Sequence, residues 1–387
     1  MQKVLLINIT PWDILSEVPA ILKKGGYTVH VFCSKDAWLL KNSFYDKWIE
    51  APSDDSTLFV SQLIDHVTNE ETGYDWILPG DDIIIRLLNK HIHDEQLFYK
   101  FLPITKIENR EILGSKAGLS NLCLKYGLNT PKYIIYNEHF DIQNIEKHLN
   151  FPMMIKVDES EGGYGIFLCD DKKSFLNKFE NITNKKNLVL QEYIKGYDVN
   201  TEALYKNGEL LVYNHSRTLK TLFGIYGATT QRLCYQNTDV EKDLIKIGRD
   251  FGLNGFANIL FRYCKSTYQN YLVEVDVRPN SWHFYGKFCG NDFSVGVRNT
   301  LNNNLVLTKQ ADKYKNKQVK ITLFKKDITR CIVDNNYKGL FHWVINYEGR
   351  WRYIPFYDIK HLYNCSKFLL GMFIEATSKT LKKIFKK

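Results

Sequence analysis

Residues 271–280 read YLVEVDVRPN, and the assignment of the fold depends on this stretch. Two acids, Glu274 and Asp276, interrupt an apolar run that ends at Arg278. Because side chains alternate along a strand, both carboxylates would point to one face and the flanking valines to the other. Two like charges this close favour either a bound cation or a proton on one of the carboxyl groups. The stretch therefore predicts a metal site, or else a strand end that enters solvent with Arg278 as its ion-pair partner.

The size and composition of the chain indicate a folded protein with more than one domain. Its 387 residues are too many for one core of ordinary size, and 44% of them are hydrophobic. Eight cysteines are scattered without a CxxC pair, which is typical of reduced thiols. The opening residues, MQKVLLINIT, hold too short an apolar run for a signal peptide, and no run reaches the roughly 18 residues that a membrane span needs. We therefore expect a cytoplasmic protein.

The formal net charge of +9 raises the question of an anionic partner. Much of the surplus lies in SKFLLGMFIEATSKTLKKIFKK, residues 366–387, where Leu381, Ile384 and Phe385 recur at helical spacing among lysines. This tail predicts either peripheral contact with the cytoplasmic face of a membrane or a solvated helix packed on the body. Nucleic-acid binding is not expected, because the basic surplus lacks the interleaved aromatic platforms of a binding groove.

Strand and helix patterns alternate from residue 1 to about residue 105. KVLLINIT, YTVHVFC and WILP have the apolar character of buried strands, and DILSEVPAILKKGG between the first two has a helical pattern. This alternation predicts a Rossmann-like parallel α/β domain. Ligands bind at the carboxyl ends of such strands, so Asp81 and Asp82 could touch one, although capping the next helix is the simpler role.

A glycine-rich loop follows in the middle of the chain. The sequence ESEGGYGIF places Gly162, Gly163 and Gly165 between two strand patterns, where backbone N–H groups can fold over an anion. A hairpin loop that needs positive φ would have the same composition. Lys156 on the preceding strand and Lys116 at a helix start could supply cations for phosphate oxygens, although isolated lysines are more often solvated.

The next motif is VLQEYIKGYD. A buried strand runs into Glu192, Tyr193 and Ile194 and then turns, which offers backbone donors and acceptors to a purine edge beside an apolar wall. Asp198 could accept hydrogen bonds from ribose hydroxyls. An edge strand with a polar turn is the alternative interpretation.

The order of these motifs resembles the ATP-grasp superfamily, and most closely the group of carbamoyl phosphate synthetase, biotin carboxylase and D-alanine:D-alanine ligase. The resemblance covers residues 75–300 and implies an α/β fold that uses ATP and Mg²⁺. The implied domains are a pre-ATP-grasp α/β domain (1–105), a small lid subdomain (106–190), a large subdomain with the Mg-ATP site (191–305) and a C-terminal extension (306–387).

The resemblance also implies a role for each candidate residue. Lys116 and Lys156 would hold the ATP phosphates, and Gly162, Gly163 and Gly165 would form the mobile loop over them. Glu192, Tyr193 and Ile194 would bind adenine, and Asp198 would bind the ribose. Glu274 and Asp276 would bind magnesium, and Arg278, with Lys156, would be catalytic by steadying the reacting phosphoryl or acyl group. One departure from the family pattern is Leu260, which stands where relatives commonly carry a further metal ligand. A weakened second metal site is one consequence of that change.

The resemblance implies an ADP-forming ligase that joins a carboxylate to an amine, with an amino acid and a sugar or cell-surface precursor as candidate substrates. A phosphotransferase and a nucleotide-binding regulator without turnover are the alternatives.

Arg217 and Arg232 are candidate clamps for a substrate anion, because a guanidinium binds carboxylate or phosphate in a bidentate manner. His215, Trp282 and His283 could line the pocket or be structural. The resemblance also allows a homodimer, since dimers are common among such enzymes, while the sequence itself indicates no oligomeric state.

Overall fold

The computed structural model describes residues 2–52, 55–69, 73–137, 139–160 and 162–384, and the side chains of residue 377 and residues 379–384 lie outside that description. Within these ranges the strands form three sheets, one parallel and two antiparallel. The predicted α/β class is confirmed. The domain boundaries given above stay predictions, and the sheets are described here by their own strands.

The N-terminal residues form a four-stranded parallel sheet with the order β3-β2-β1-β4. Its strands are β1 (Lys3–Asn8), β2 (Thr28–Cys33), β3 (Lys47–Glu50) and β4 (Trp76–Pro79), and its helices are α1 (Val18–Gly25), α2 (Ser56–Thr68), α3 (Asp82–His91) and α4 (Glu95–Phe101). The first predicted helix is split, because Asp13–Leu15 forms a separate 3-10 turn before α1. Asp81 caps α3 by accepting a hydrogen bond from the Ile84 N–H, as its simpler predicted role required.

A small antiparallel sheet follows, with the order β5-β8-β6-β7. Helix α5 (Lys116–Lys125) leads into β5 (Tyr133–Ile135), β6 (Met153–Lys156), β7 (Ile166–Cys169), α6 (Lys172–Glu180) and β8 (Val189–Glu192). The two strands predicted around the glycine loop are β6 and β7, which pair with Lys156 opposite Ile166. The loop therefore joins β6, whose last residue is Lys156, to β7, whose first residue is Ile166.

The third sheet has six antiparallel strands in the order β13-β12-β9-β10-β11-β14. It contains β9 (Gly196–Lys206), β10 (Glu209–Thr221), β11 (Thr229–Cys234), β12 (Gly255–Cys264), β13 (Gln269–Asp276) and β14 (Val319–Thr322), with α7 (Thr238–Phe251), α8 (Ser281–Tyr285) and α9 (Phe293–Leu301) beside it. One buried cluster joins Leu5 and Ile7 of β1 to Ile259 of β12. The parallel sheet is thereby packed against the six-stranded sheet, which carries Glu274 and Asp276 on β13.

The C-terminal residues are more helical than their sequence suggested. The sequence patterns of VKITLFKKDITRCIVDNN (319–336) and RWRYIPFYDIKHLYNC (350–365) predict strand and loop, but within them only β14 is a strand, and it extends the six-stranded sheet. Helices α10 (Phe324–Val333), α11 (Tyr337–Val344) and α12 (Ile359–Ile384) follow it. In α10 the helix forms because Ile328, Cys331 and Ile332 fall on one buried face at helical spacing.

The tail predicted from residues 366–387 is helical through Ile384. Phe385, Lys386 and Lys387 lie outside the described residues, as do the side chains of the preceding lysines from residue 379 onward. Membrane contact through this tail therefore stays a prediction. None of the helices among the described residues is long and apolar enough to cross a bilayer.

Candidate active site

Two adjoining pockets lie between the small antiparallel sheet and the six-stranded sheet. The inner pocket is lined by the predicted residues Lys116, Lys156, Glu192, Tyr193, Ile194, Asp198 and Glu274, together with Met154, Tyr226, Leu260 and Arg262. The outer pocket shares Lys116, Tyr226 and Glu274 with it and adds Gly162, Gly163, Asp276, Arg278, Asp82 and Arg86. The fold thus brings together all the predicted site residues except Gly165, Arg217 and Arg232.

The segment after β8 forms one wall of the inner pocket and is fixed by Arg262, a residue that the sequence analysis missed. The Arg262 guanidinium donates to the Ile194 carbonyl at 2.9 Å, to the Tyr193 hydroxyl at 3.0 Å and to Asp198 at 2.7 Å. Burial lowers the pKa of Arg262, but Asp198 and Tyr193 outweigh it and raise the pKa overall. Arg262 therefore holds the predicted adenine and ribose segments in one arrangement.

The two predicted lysines reach the inner pocket from different elements. The Lys116 ammonium donates to the Ser160 carbonyl at 2.6 Å, which ties the start of α5 to the glycine loop. Asp158 caps the same helix by accepting from the Lys116 backbone N–H at 2.6 Å. Burial lowers the pKa of Lys156 to about 8, and nearby Lys116 adds to this effect while Glu274 opposes it. The pocket thus holds two cationic groups that would gain from a polyanionic ligand.

The glycine loop has the backbone geometry that its composition predicted. Gly162, Gly163 and Gly165 have φ angles of 62°, 82° and 73°, in the left-handed region that side chains rarely adopt. A Cβ on Gly163 would lie 2.2 Å from the carbonyl oxygen of Tyr226. The loop is therefore packed directly on the segment between β10 and β11, and both segments line the outer pocket.

Glu274 and Asp276 are on β13, as the opening stretch predicted, and line the outer pocket together. Burial raises the pKa of Asp276 well above its ordinary range, and Glu274 and Asp82 raise it further, although Arg278 lowers it. The Arg278 guanidinium contacts Asp82 at 2.6 Å and Asp276 at 3.2 Å. One arginine thus does not compensate three neighbouring acids, and a further cation would be stabilised here.

The comparisons with known proteins agree with this geometry. Residues 115–204 match the family model of the RimK-like ATP-grasp domain. This chain carries an ATP-grasp domain. The match includes the start of α5, the glycine loop, the segment after β8 and Asp198, which are the elements that form the inner pocket.

Relatives of the ATP-grasp domain extend the match. A carbamoyl-phosphate synthase of Methanobrevibacter smithii is 24% identical over 169 residues, which are 41% of this chain and 44% of that protein. The matches thus span less than half the length of the curated relatives. Among solved structures, the ADP complex of Staphylococcus aureus N5-carboxyaminoimidazole synthetase has a TM-score of 0.65 at 16% identity, covering 88% of this chain and 86% of that one. The biotin carboxylase domain dimer of Hydrogenobacter thermophilus 2-oxoglutarate carboxylase, with MgADP, ADP and bicarbonate, has a TM-score of 0.61 at 14% identity and covers 82% and 72%.

The carboxylates of the outer pocket fit a magnesium ion that arrives with a nucleotide. No group of three or more His, Cys, Asp or Glu residues forms a metal cage within the described part of the chain. Mg²⁺ needs only one or two protein carboxylates when phosphate oxygens supply other ligands, and Glu274 with Asp276 meets that need. Leu260 lies opposite Glu274 in the strand pairing and lines the inner pocket without adding a donor atom.

Asn258 is a second residue that the sequence analysis missed. It lies opposite Asp276 in the pairing of β12 with β13, and its amide nitrogen is 3.4 Å from that carboxylate. Its side-chain oxygen is buried and has no hydrogen-bond partner among the described residues. The polar residue in the otherwise apolar run FANIL, two positions before Leu260, was the available signal.

Arg217 is not brought to either pocket. Its guanidinium lies 4.0 Å from the centre of the Tyr197 ring. Tyr197 precedes Asp198 on β9, and neighbouring side chains of a strand point to opposite faces. Because Asp198 lines the inner pocket, Arg217 lies on the other face of the sheet.

Arg232 is on the pocket face but is already bound within the protein. It forms a buried ion pair with Glu202 at 2.5 Å, donates to Asn200 at 3.1 Å, and lies 4.2 Å from the centre of the Trp282 ring. The predicted anion clamp is therefore a satisfied internal cation here. His215 and His283 are likewise buried, and burial lowers the pKa of each to about 3, which fits the structural alternative.

ATP affinity is expected to fall above pH 8 because of Lys156. Its pKa of about 8 means that half of the ammonium groups have lost their proton at that pH, so phosphate binding is full only well below pH 8 and weakens as the pH rises through that value. One titrating proton gives at most about a tenfold loss per pH unit. Calorimetry with MgATP between pH 7 and 9.5 measures this slope. Lys156→Arg stays charged over the whole range and should give a flat profile; an equally flat profile for the unmodified chain contradicts the prediction.

Gly163→Ala is expected to lower turnover much more than Gly162→Ala. Both glycines have positive φ, so both substitutions carry similar backbone strain. Only at Gly163 does the new methyl group collide with a backbone atom, since the nearest atom to a Cβ on Gly162 is 3.7 Å away. We expect about a tenfold loss of kcat for Gly163→Ala, equivalent to about 1.4 kcal/mol of transition-state stabilisation. Steady-state ADP release measures both variants, and equal losses would show that strain alone matters.

Proposed function

We propose that this chain is an ADP-forming ligase that activates a carboxylate with ATP and joins it to an amine. One observation carries the proposal: Glu274, Asp276 and Arg278 line a pocket with Lys116, and Glu274 and Lys116 also line the adjoining pocket that holds Lys156. That combination suits a nucleoside triphosphate with its cation and would leave Arg278 beside the terminal phosphate. The names of the relatives, which include a carbamoyl-phosphate synthase and a phosphoribosylamine–glycine ligase, support the reaction class and not the substrates.

In the proposed reaction an oxygen of the substrate carboxylate attacks the γ-phosphorus of ATP, and ADP leaves as the bridging P–O bond breaks. The amine nitrogen then attacks the acyl carbon of the acyl phosphate, phosphate leaves, and the nitrogen gives up a proton. Lys116 and Lys156 are placed to neutralise phosphate charge, and Arg278 to hold the transferring group. A magnesium ion held by Glu274 and Asp276 would neutralise further phosphate charge when bound.

The protein must also keep water from the acyl phosphate. Gly162 and Gly163 line the outer pocket together with Tyr226, and the contact between Gly163 and the Tyr226 carbonyl joins the two covering segments. We propose that these segments close as a unit over the bound nucleotide, which lengthens the life of the activated carboxylate.

The substrates are proposed as classes. The outer pocket, with Arg86 and Arg278, offers cationic groups to a small carboxylate such as an amino acid or a uronic sugar, and the amine would enter beside it. A solved L-amino acid ligase of Bacillus licheniformis shares the fold at a TM-score of 0.58 and 17% identity. We also propose that the protein is located in the cytoplasm and assembles as a homodimer.

The strongest alternative is a nucleotide-binding regulator without turnover. Leu260 supports it, because an apolar side chain faces Glu274 where an additional metal ligand would strengthen the site. The unpaired oxygen of Asn258 and the second carboxylate, Asp276, favour turnover instead, since they supply oxygen atoms next to Glu274.

The test is a coupled ADP-release screen with magnesium over pairs of carboxylates and amines, including amino acids and uronic sugars. A ligase releases ADP and phosphate in equal amounts with a new amide, whereas a phosphotransferase releases ADP without free phosphate. A regulator binds ATP and releases no ADP with any pair. Asp276→Ala is the control, and a signal that survives this substitution does not come from the proposed site.

A further inference from the structure

Apolar side chains are exposed in unusual number near the C-terminus. Six of them, each between 50% and 80% exposed, define what is here called the C-terminal apolar surface: Phe341, Val344, Ile345, Phe356, Ile359 and Leu370. Soluble proteins expose isolated apolar residues everywhere, but here six fall within thirty residues of sequence, on or directly after α11, just before α12 and on α12.

The elements that carry this surface are anchored by their other faces. In α11, Trp343 is buried and its indole N–H donates to Asp327 at 2.9 Å, while Phe341 and Val344 on either side are exposed. In α12, Cys365 and Leu369 are buried, while Ile359 and Leu370 are exposed. The exposed residues are therefore the outer faces of packed helices and not displaced core.

The charge of the C-terminal residues favours an anionic partner. Residues 337–387 contain ten Lys and Arg against three Asp and Glu, so they carry seven of the nine surplus positive charges of the chain; five of the ten are lysines at positions 379–387, whose side chains lie outside the description. Lys338, Lys360 and Lys367 are exposed among the apolar side chains. A two-fold dimer through this face would place two such basic segments against each other, whereas an anionic surface would neutralise them.

We propose that the C-terminal apolar surface binds the headgroup region of a membrane that contains anionic lipids. The apolar side chains would enter the boundary of the acyl chains, and the lysines would remain at the level of the lipid phosphates. Attachment of this kind is peripheral and needs no spanning helix. It does not depend on the proposed ligase activity, since none of the six residues lines either pocket.

Vesicle sedimentation of the full chain tests the proposal. We expect the chain to pellet with vesicles of phosphatidylglycerol and phosphatidylcholine at low salt and much less with phosphatidylcholine alone. Val344→Asp and Ile359→Asp should each lower the partition coefficient about tenfold, because each replaces an aliphatic side chain that would enter the acyl-chain boundary with a charged one. Val306→Asp is the matched control, since Val306 is 65% exposed outside this surface, and it should leave the coefficient unchanged.

Three outcomes would overturn the proposal. The unmodified chain could fail to pellet with either vesicle, a result that needs no variant to fold. The two variants could pellet like the Val306→Asp control, which would place the contact elsewhere. Finally, Val344→Asp could convert a dimer into a monomer in light scattering without any vesicle binding, which would make the face an interface between two copies of this chain.

Discussion

Glu274→Gln is expected to reduce ADP release by about a hundredfold to a thousandfold, the range seen when one preorganised electrostatic group is removed from an active site. The amide keeps the shape of the side chain but removes its negative charge. Among the described residues, Glu274 is the one carboxylate that lines both pockets, so the change affects the proposed phosphate and cation positions together. Loss of magnesium affinity should appear as loss of the magnesium dependence of ADP binding.

Two measurements separate this effect from damage to the fold. Calorimetry of ADP binding with and without magnesium should show a magnesium-dependent gain for the unmodified chain and none for Glu274→Gln. Glu209→Gln removes the same charge from an exposed strand end and should behave like the unmodified chain. A Glu274→Gln variant that retains the full magnesium dependence would remove Glu274 from the proposed site.

The largest effect on stability is expected for Asp327→Ala. Asp327 is fully buried, and its carboxylate contacts Arg330 at 2.8 Å and Arg350 at 3.4 Å. The same carboxylate accepts hydrogen bonds from the Trp343 indole at 2.9 Å and the Gln231 amide at 3.1 Å. Removing it leaves the buried Arg350 guanidinium without a carboxylate partner among the described residues and Arg330 with only the exposed Asp334, which costs about 3–5 kcal/mol of the free energy of unfolding.

Chemical denaturation of the full chain measures this loss of unfolding free energy, and Asp334→Ala is the matched control. Asp334 also pairs with Arg330, at 3.4 Å, but its side chain is 50% exposed. An exposed ion pair contributes about 0–1 kcal/mol, so the control should lie close to the unmodified chain. Similar small losses for both variants would contradict the proposed role of Asp327 as the centre of this network.

The sequence was most informative where a functional feature depends on residues that are neighbours along the chain. The alternation around Glu274 and Asp276, the glycines of the loop and the turn after Glu192 are each set by a few neighbouring residues, and the structure places them in two joined pockets. The capping role of Asp81 was predictable for the same reason, since a cap acts on the residues that follow it.

Contacts between distant strands were beyond that reasoning. Arg217 and Arg232 look equally suited to an anion, but strand pairing puts one against Tyr197 and the other against Glu202. Arg262 and Asn258 acquire their importance only because β12 lies between β9 and β13. In the C-terminal part, the apolar residues of α10 fit a helical period, but the preceding strand VKIT favoured reading the whole stretch as extended.

The contact between Arg278 and Asp82 means that residues from two distant parts of the chain together fix the position of the pocket arginine. Asp82 begins α3 beside the parallel sheet, while Arg278 follows the last strand of the pocket. A fragment cut to begin at residue 106 would leave this guanidinium with Asp276 as its remaining carboxylate partner and free to turn toward it. Kinetic work on such a fragment would therefore measure a differently arranged centre, and only the chain with its first hundred residues can report on the native one.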